Sequence, residues 1–207
     1  MKGGSFPKPF AFVPGIHIRR HGPAGWANYA RYRPWLRDEF CFRCVYCLIR
    51  EQWVDMRRGF QIDHSIPQKL RPDLKADYDN LLYLCPSCNN LKGSYRLPDP
   101  CAVALNECLR FNADGTVDAL DGPRGAGETI IEVLELDAPH LIQWRRRKID
   151  AIATVAGNDW FRFVEEMCFP RDLPDLTVDP PLHNSRPGGI AESWFAKRKS
   201  GRLPEAY

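Results

Sequence analysis

The sequence predicts an α+β fold: a small cysteine-stapled module of two strands and a helix, embedded in a mainly helical and irregular surround. Three observations predict it. Two thiol hooks, Cys44-Val45-Tyr46-Cys47 and Cys85-Pro86-Ser87-Cys88, bracket the module. The apolar run Leu81-Leu82-Tyr83-Leu84 reads as a buried strand leading into the second hook. Both ends of the chain are rich in Gly, Pro and Arg without a helical or strand period, so regular structure concentrates between them. The resulting division is a basic and aromatic arm over 1–35, the module over 36–98, a hairpin with helical support over 99–170, and a Pro-rich basic tail over 171–207.

Composition narrows the class. At 207 residues the chain can bury a substantial core. It holds no apolar run long enough to cross a bilayer, and Met1-Lys2-Gly3-Gly4-Ser5 lacks the apolar stretch of a signal peptide, which predicts a cytoplasmic protein. Eight cysteines grouped as C-x-x-C pairs then favour metal over disulfides. The net charge of +3 hides an asymmetry: residues 1–100 carry 16 Lys and Arg against 9 Asp and Glu, whereas the remainder carries 13 against 17. The basic half is the half with the hooks. A polyanion is the matching partner, because neutralised phosphates release counterions, although ordinary surface charge gives the same count.

In the arm, Phe10, Phe12, Trp26, Tyr29, Tyr32 and Trp35 interleave with Arg19, Arg20, Arg31, Arg33 and Arg37. Such residues stack bases and hold phosphates, or they dock on a small core with arginine stems covering apolar surface. Docking ranks first. Residues 65–79 read as a loop with a helical turn, and a short helix follows Cys88, ended by Gly93. Asp114-Gly115 between apolar flanks predicts a hairpin. Thr129–Asp137 predicts an amphipathic helix. Asp137, as N-cap, and Pro139, in the first turn, start another that carries Leu141, Trp144, Ile149, Ile152 and Val155 inward. Arg145-Arg146-Arg147-Lys148 on that helix reads as solvated charge with one or two residues open to phosphate. Trp160–Phe169 is a further short amphipathic piece. The tail, ending in Lys197-Arg198-Lys199 and Arg202, is expected to be extended and partly ordered.

Cys44, Cys47, Cys85 and Cys88 are the expected ligands of a structural Zn²⁺, since two C-x-x-C knuckles supply four converging thiolates. The intervening residues 48–84 exceed a zinc-ribbon gap, so an element is inserted between the hooks. Cys41 offers a rival pairing with Cys44, while Cys101, Cys108 and Cys168 read as apolar thiols. Inside the insertion, Asp63-His64 follows the strand-like Phe60-Gln61-Ile62, with Asn80 and Asn89 downstream. Neighbouring residues on a strand face opposite ways, so Asp63 can hold a hard cation while His64 faces an attacking water. Hydrolysis of a phosphodiester needs both functions. The preference of Mg²⁺ for one or two protein oxygens suits Asp63 with Asn89, and Asn90 is the fallback ligand.

Together these stretches resemble the HNH endonuclease family and its ββα-metal fold. The likeness is carried by Cys44-Val45-Tyr46-Cys47, Ile62-Asp63-His64-Ser65-Ile66-Pro67, Asp79-Asn80-Leu81 and Leu84-Cys85-Pro86-Ser87-Cys88-Asn89-Asn90-Leu91-Lys92-Gly93. It implies His64 as general base, Asp63 as ligand of a catalytic Mg²⁺ or Mn²⁺, and Asn80 as the asparagine that orients loop and histidine. Asn89 stands where the family has its final histidine, which makes this an H-N-N variant. The segment from Phe111 to Lys148 is similar to tails that often follow such motifs. The expected activity is therefore metal-dependent cleavage of DNA, with Lys92, Arg96 and arm arginines on flanking phosphates. Two alternatives stand beside it: a zinc-stapled nucleic-acid-binding module that does not cut, and an effector subunit of a phage-defence system that needs a protein partner. Double-strand cleavage by one such module requires a homodimer or two events.

Overall fold

Residues 9–54, 59–156 and 169–202 are described by the computed structural model. Its centre is an antiparallel pair, β2 (Gln61–His64) and β3 (Leu81–Leu84), in the register Gln61–Leu84, Ile62–Tyr83, Asp63–Leu82 and His64–Leu81. All four residues of β3 are buried, as a continuous apolar run requires. Helix α2 (Pro86–Lys92) follows directly, with Pro86 in its first turn and Cys85 as its N-cap. It stops at Gly93, whose φ of +47° is a conformation that a side chain would strain. Two strands and one helix thus form the core of the module. The helix begins at Pro86 rather than after Cys88, so the second hook lies in its first turn.

Around this centre the arm is docked. A turn over Tyr29–Tyr32, capped by the Asn28 side chain, leads into α1 (Arg33–Glu39), which buries Trp35 and Leu36. Phe10, Trp26 and Tyr32 are buried too. Arg19 is buried across the strand end: its guanidinium donates to the Leu81 carbonyl at 2.6 Å and lies over the rings of Phe40 and Tyr78. The buried α1 acids serve as anchors. Glu39 accepts from the His17 ring, from the backbone N–H groups of Arg20 and His21, and from the Tyr78 hydroxyl. Asp38 accepts from the His21 ring at 2.8 Å and from the Trp194 backbone N–H at 2.7 Å.

The last of these bonds corrects the expectation of an extended tail. Strand β1 (Pro23–Ala24) pairs antiparallel with β6 (His183–Asn184), Arg186 bridges to the Asp79 carboxylate, and α5 (Trp194–Lys199) buries Trp194. Burial of Phe169, Leu173 and Leu176 completes the docking. Each large apolar side chain so buried contributes ~1.5–3 kcal/mol.

The hairpin forms as expected, β4 (Leu109–Phe111) against β5 (Val117–Ala119). Gly115 turns it at φ +88°, with its α-carbon against the Ile142 carbonyl, where no Cβ fits. Helix α3 (Ala126–Leu134) buries Ile130 and Leu134 against the core and ends at Glu135, which is left-handed at φ +49°. It starts and stops three residues earlier than the pattern suggests. Helix α4 (Pro139–Ala156) starts with Pro139 as its first residue; the Ala138 carbonyl receives the first backbone bonds, so Ala138 rather than Asp137 holds the cap position. Ile152 is buried and Leu141, Trp144 and Ile149 are half-buried. Arg145 departs from the solvated reading. Its guanidinium is buried between two elements, donating at 2.6 Å to the Gly115 carbonyl and at 2.6 Å to the Leu136 carbonyl, so it is closed to phosphate. The piece over Trp160–Phe169 lies, except for Phe169, outside the described residues, as do Cys168 and the side chain of Val155. Among the described residues no helix is long and apolar enough to cross a membrane.

Candidate active site

The four cysteines converge. Cys44 and Cys47 belong to a tight turn in which the Cys44 N–H donates to the Ile49 carbonyl and the Leu48 N–H to the Cys44 carbonyl, with Leu48 left-handed at φ +59°. The Val45 N–H donates to the Tyr83 carbonyl, which hangs this knuckle on β3. The second knuckle is the first turn of α2, where the Cys88 N–H points at Cys85 Sγ. All four sulfurs are buried and lie within 4.8 Å of one another, and Cys47 Sγ is 3.6 Å from Cys85 Sγ. That spacing is far beyond a disulfide and matches the edge of a tetrahedron with metal–sulfur bonds of ~2.3 Å. Burial alone would raise the Cys44 thiol, but hydrogen bonds from the other three hold it well below its usual range. Burial, with Cys44 and Cys85, pushes Cys47 up against the opposing pull of Cys88, and the other three thiols with burial push Cys88 up. Four thiolates buried side by side need a cation to neutralise them. Among the described residues no other group of three or more His, Cys, Asp or Glu side chains is gathered to hold a metal. Cys41 stays outside the quartet, half-exposed, while Cys108 is buried and Cys101 partly so.

Beside this staple, β2 divides two sets of side chains. Gln61 and Asp63 share one face, and His64 lies on the other with Ile62. Helix α2 meets the first face with Asn89 and Lys92, which are three apart and therefore neighbours on the helix. The Asn89 amide Nδ2 donates to Gln61 Oε1, and the Lys92 ammonium lies 2.7 Å from Asp63 Oδ2. The contact is a close ion pair, and no other partner of Asp63 Oδ2 is seen among the described residues. Lys92 also donates to the His64 carbonyl at 2.9 Å. It is fully buried, so the expectation of Lys92 on an outer phosphate is corrected: its charge is turned inward by Asp63. Arg96 is exposed, and Asn90 is exposed on α2 away from the Gln61 contact.

His64 is buried, with 4% of its surface exposed, and the edge of Tyr29 packs on it at 5.1 Å. Its Nε2 is 3.0 Å from the Lys75 carbonyl, an acceptor, so this nitrogen carries the proton. Nδ1 then presents a lone pair, which meets the Gln68 amide nitrogen at 3.2 Å. Asn80 holds the loop that supplies these partners. Its Oδ1 accepts from the Ile66 N–H at 2.8 Å, and its Nδ2 donates to the carbonyls of Ile66 and Leu74. Lys75 is the next residue in that loop.

The structure thus brings Asp63, His64, Asn80 and Asn89 to one strand pair and one helix, and brings in Gln61, Gln68 and the Lys75 carbonyl, which sequence reasoning missed. One of these had a signal: Gln61 is two residues before Asp63 on a strand, hence on the same face. Gln68 follows His64 through a bend and a turn, where a four-residue spacing carries no rule for which side chains meet. A backbone carbonyl leaves none. The family model described as HNH endonuclease matches residues 44–95, about a quarter of the chain, covering both cysteine pairs, β2, β3 and α2. No curated protein matches the chain.

Proposed function

From the HNH endonuclease module at residues 44–95, we propose that this protein hydrolyses DNA phosphodiester bonds in a divalent-metal-dependent reaction. The observation that carries this reading is the division of labour across β2: a carboxylate on the α2 side, and an imidazole on the other whose proton is pinned at Nε2 by a backbone carbonyl. His64 Nδ1 is the base that takes a proton from water. The Gln68 amide marks the direction from which a donor reaches it. Asn80 keeps the Lys75 carbonyl in place, and so selects the tautomer without touching the substrate.

Asp63 and Asn89 are the residues that would hold Mg²⁺ or Mn²⁺, and their donors fit such an ion. Both offer hard oxygen, and Asp63 Oδ2 is a buried carboxylate oxygen whose partner is already a cation, the Lys92 ammonium. Bound there, the ion supplies charge neutralisation for the phosphate. The quartet holds Zn²⁺ as a staple and takes no chemical part. The basic first half, with Arg96 exposed near the end of α2, would attract the polyanion.

The test is nicking of a supercoiled plasmid with Mg²⁺ or with EDTA, by wild type and His64→Ala. Metal-dependent nicking that falls by ~10²–10⁴ in the variant is expected. Cleavage surviving His64→Ala refutes the mechanism. One observation favours a second reading, a nuclease subunit activated by a protein partner: Asp63 and His64 Nδ1 both have internal partners, and His64 is nearly sealed. Vigorous nicking by the purified chain alone would refute that one, and with it the reading as a module that binds without cutting.

A further inference from the structure

The family pattern ends in a histidine, and an asparagine in its place carries a difficulty that histidine does not. Only one of its two terminal atoms ligates a hard cation: the amide oxygen does and the NH₂ does not, while the two differ by a half-turn of the side chain. Something must decide which atom faces the metal. We propose that Gln61 decides it, as the positioning residue that makes Asn89 a working ligand by holding its amide nitrogen and leaving Oδ1 for the cation.

The geometry is specific. Asn89 Nδ2 donates to Gln61 Oε1, a bond between helix α2 and strand β2. Because the nitrogen and oxygen of an amide diverge from one carbon, pinning the nitrogen aims the oxygen elsewhere. Gln61 itself stands on a paired strand opposite Leu84, so the acceptor is carried by a rigid element rather than a loop. It also lies two residues from Asp63 on the same strand face, which puts the orienting group and the carboxylate ligand on one support. Asn89 and Gln61 are both only partly buried, so their pairing is a choice against water and not a forced burial. Partners of this kind commonly tune affinity for a metal by ~10–100-fold.

This inference rests on the reading of Asp63 and Asn89 as cation ligands, and the experiment separates the two. Mn²⁺ alone, titrated by electron paramagnetic resonance into the zinc-loaded full-length protein, reports affinity without turnover. Gln61→Leu is expected to weaken Mn²⁺ binding by ~10–100-fold. The same substitution in an Asn89→Asp background is expected to change it by less than about threefold, because either oxygen of a carboxylate ligates and orientation no longer matters. Zinc content and melting temperature are followed alongside. Should leucine disturb folding, Gln61→Thr, strand-compatible and too short to reach Asn89, takes its place. Unchanged affinity in the Asn89 protein, or equal loss in both backgrounds, overturns the role of Gln61 while leaving the ligands intact. If Asp63→Ala binds Mn²⁺ as well as wild type, the ligand reading itself falls and the inference falls with it.

Discussion

Two polar clusters, one buried and one partly so, lie within one small module, and they are built on opposite principles. The cysteine quartet uses four copies of one ligand atom, gathered within 4.8 Å and sharing no strong partner except one another. The seam between β2 and α2 uses four different side chains, each with a protein partner: Asn89 with Gln61, and Asp63 with Lys92. The first can be completed only by a cation. The second has protein partners already, so a divalent cation bound there, as proposed, would compete with an ammonium in place. A staple needs permanence, whereas a site that turns over needs ligands that can be exchanged.

Removing one member of each cluster exposes this contrast most strongly. Cys88→Ala should abolish zinc binding and with it the fold, since structural zinc contributes on the order of 10 kcal/mol, comparable to the whole stability of a domain. Elemental analysis should give one zinc per wild-type chain and none in the variant, with loss of the cooperative melt. Lys92→Met should cost about 3–5 kcal/mol by leaving the Asp63 carboxylate buried without its counter-charge. Unlike the cysteine variant, it should regain melting temperature when Mn²⁺ is added, because the cation replaces the ammonium. Thermal melts with and without Mn²⁺ decide it, and a melt indifferent to both lysine and metal would erase the distinction drawn here.

Glu39 provides a buried charge of a third kind, neither staple nor site. Burial alone would raise its carboxyl, but the His17 ring, the Arg20 backbone N–H and the nearby His21 hold it down to about 2 from an ordinary 4.5. The folded value lies below the unfolded one, so its stabilising contribution is complete above about 4.5 and disappears as pH falls toward about 2. The magnitude is about 3 kcal/mol. Glu39→Gln should therefore destabilise at neutral pH and flatten the acid limb of stability against pH, as denaturant titrations across that window would record. The smallest effect is expected at Gln68. Its amide occupies His64 Nδ1, the nitrogen proposed to take a proton from water, so Gln68→Ala should raise the nicking rate by a few-fold, roughly the ~1 kcal/mol of one hydrogen bond. A loss of rate instead would make Gln68 a support rather than a competitor.

Much of the fold was legible because its signals are local. Leu81–Leu84 forms a strand by its own apolar continuity, Asp114-Gly115 turns a hairpin, and Cys44, Cys47, Cys85 and Cys88 declare a ligand set by spacing. Arg145 shows where such reading stops: in a run of four cations nothing local marks the one that two distant carbonyls take inside. The tail is similar, since its docking depends on Asp38 receiving Trp194 and on Ala24 pairing with His183, contacts between opposite ends of the chain.

The sequence by itself determined the cysteine quartet, the two strands and helix that carry it, and the presence of Asp63, His64, Asn80 and Asn89 in one inserted stretch. Identical ligands at fixed spacing and short-range periodicity are properties of neighbouring residues. Only the tertiary structure decided which way the groups with a choice would turn: Lys92 inward to Asp63, His64 with its proton toward Lys75, and Asn89 with its nitrogen toward Gln61. An ammonium on a flexible stem, an imidazole with two tautomers and an amide with two ends each have alternatives of nearly equal local energy. The partner that breaks the tie comes from another part of the fold.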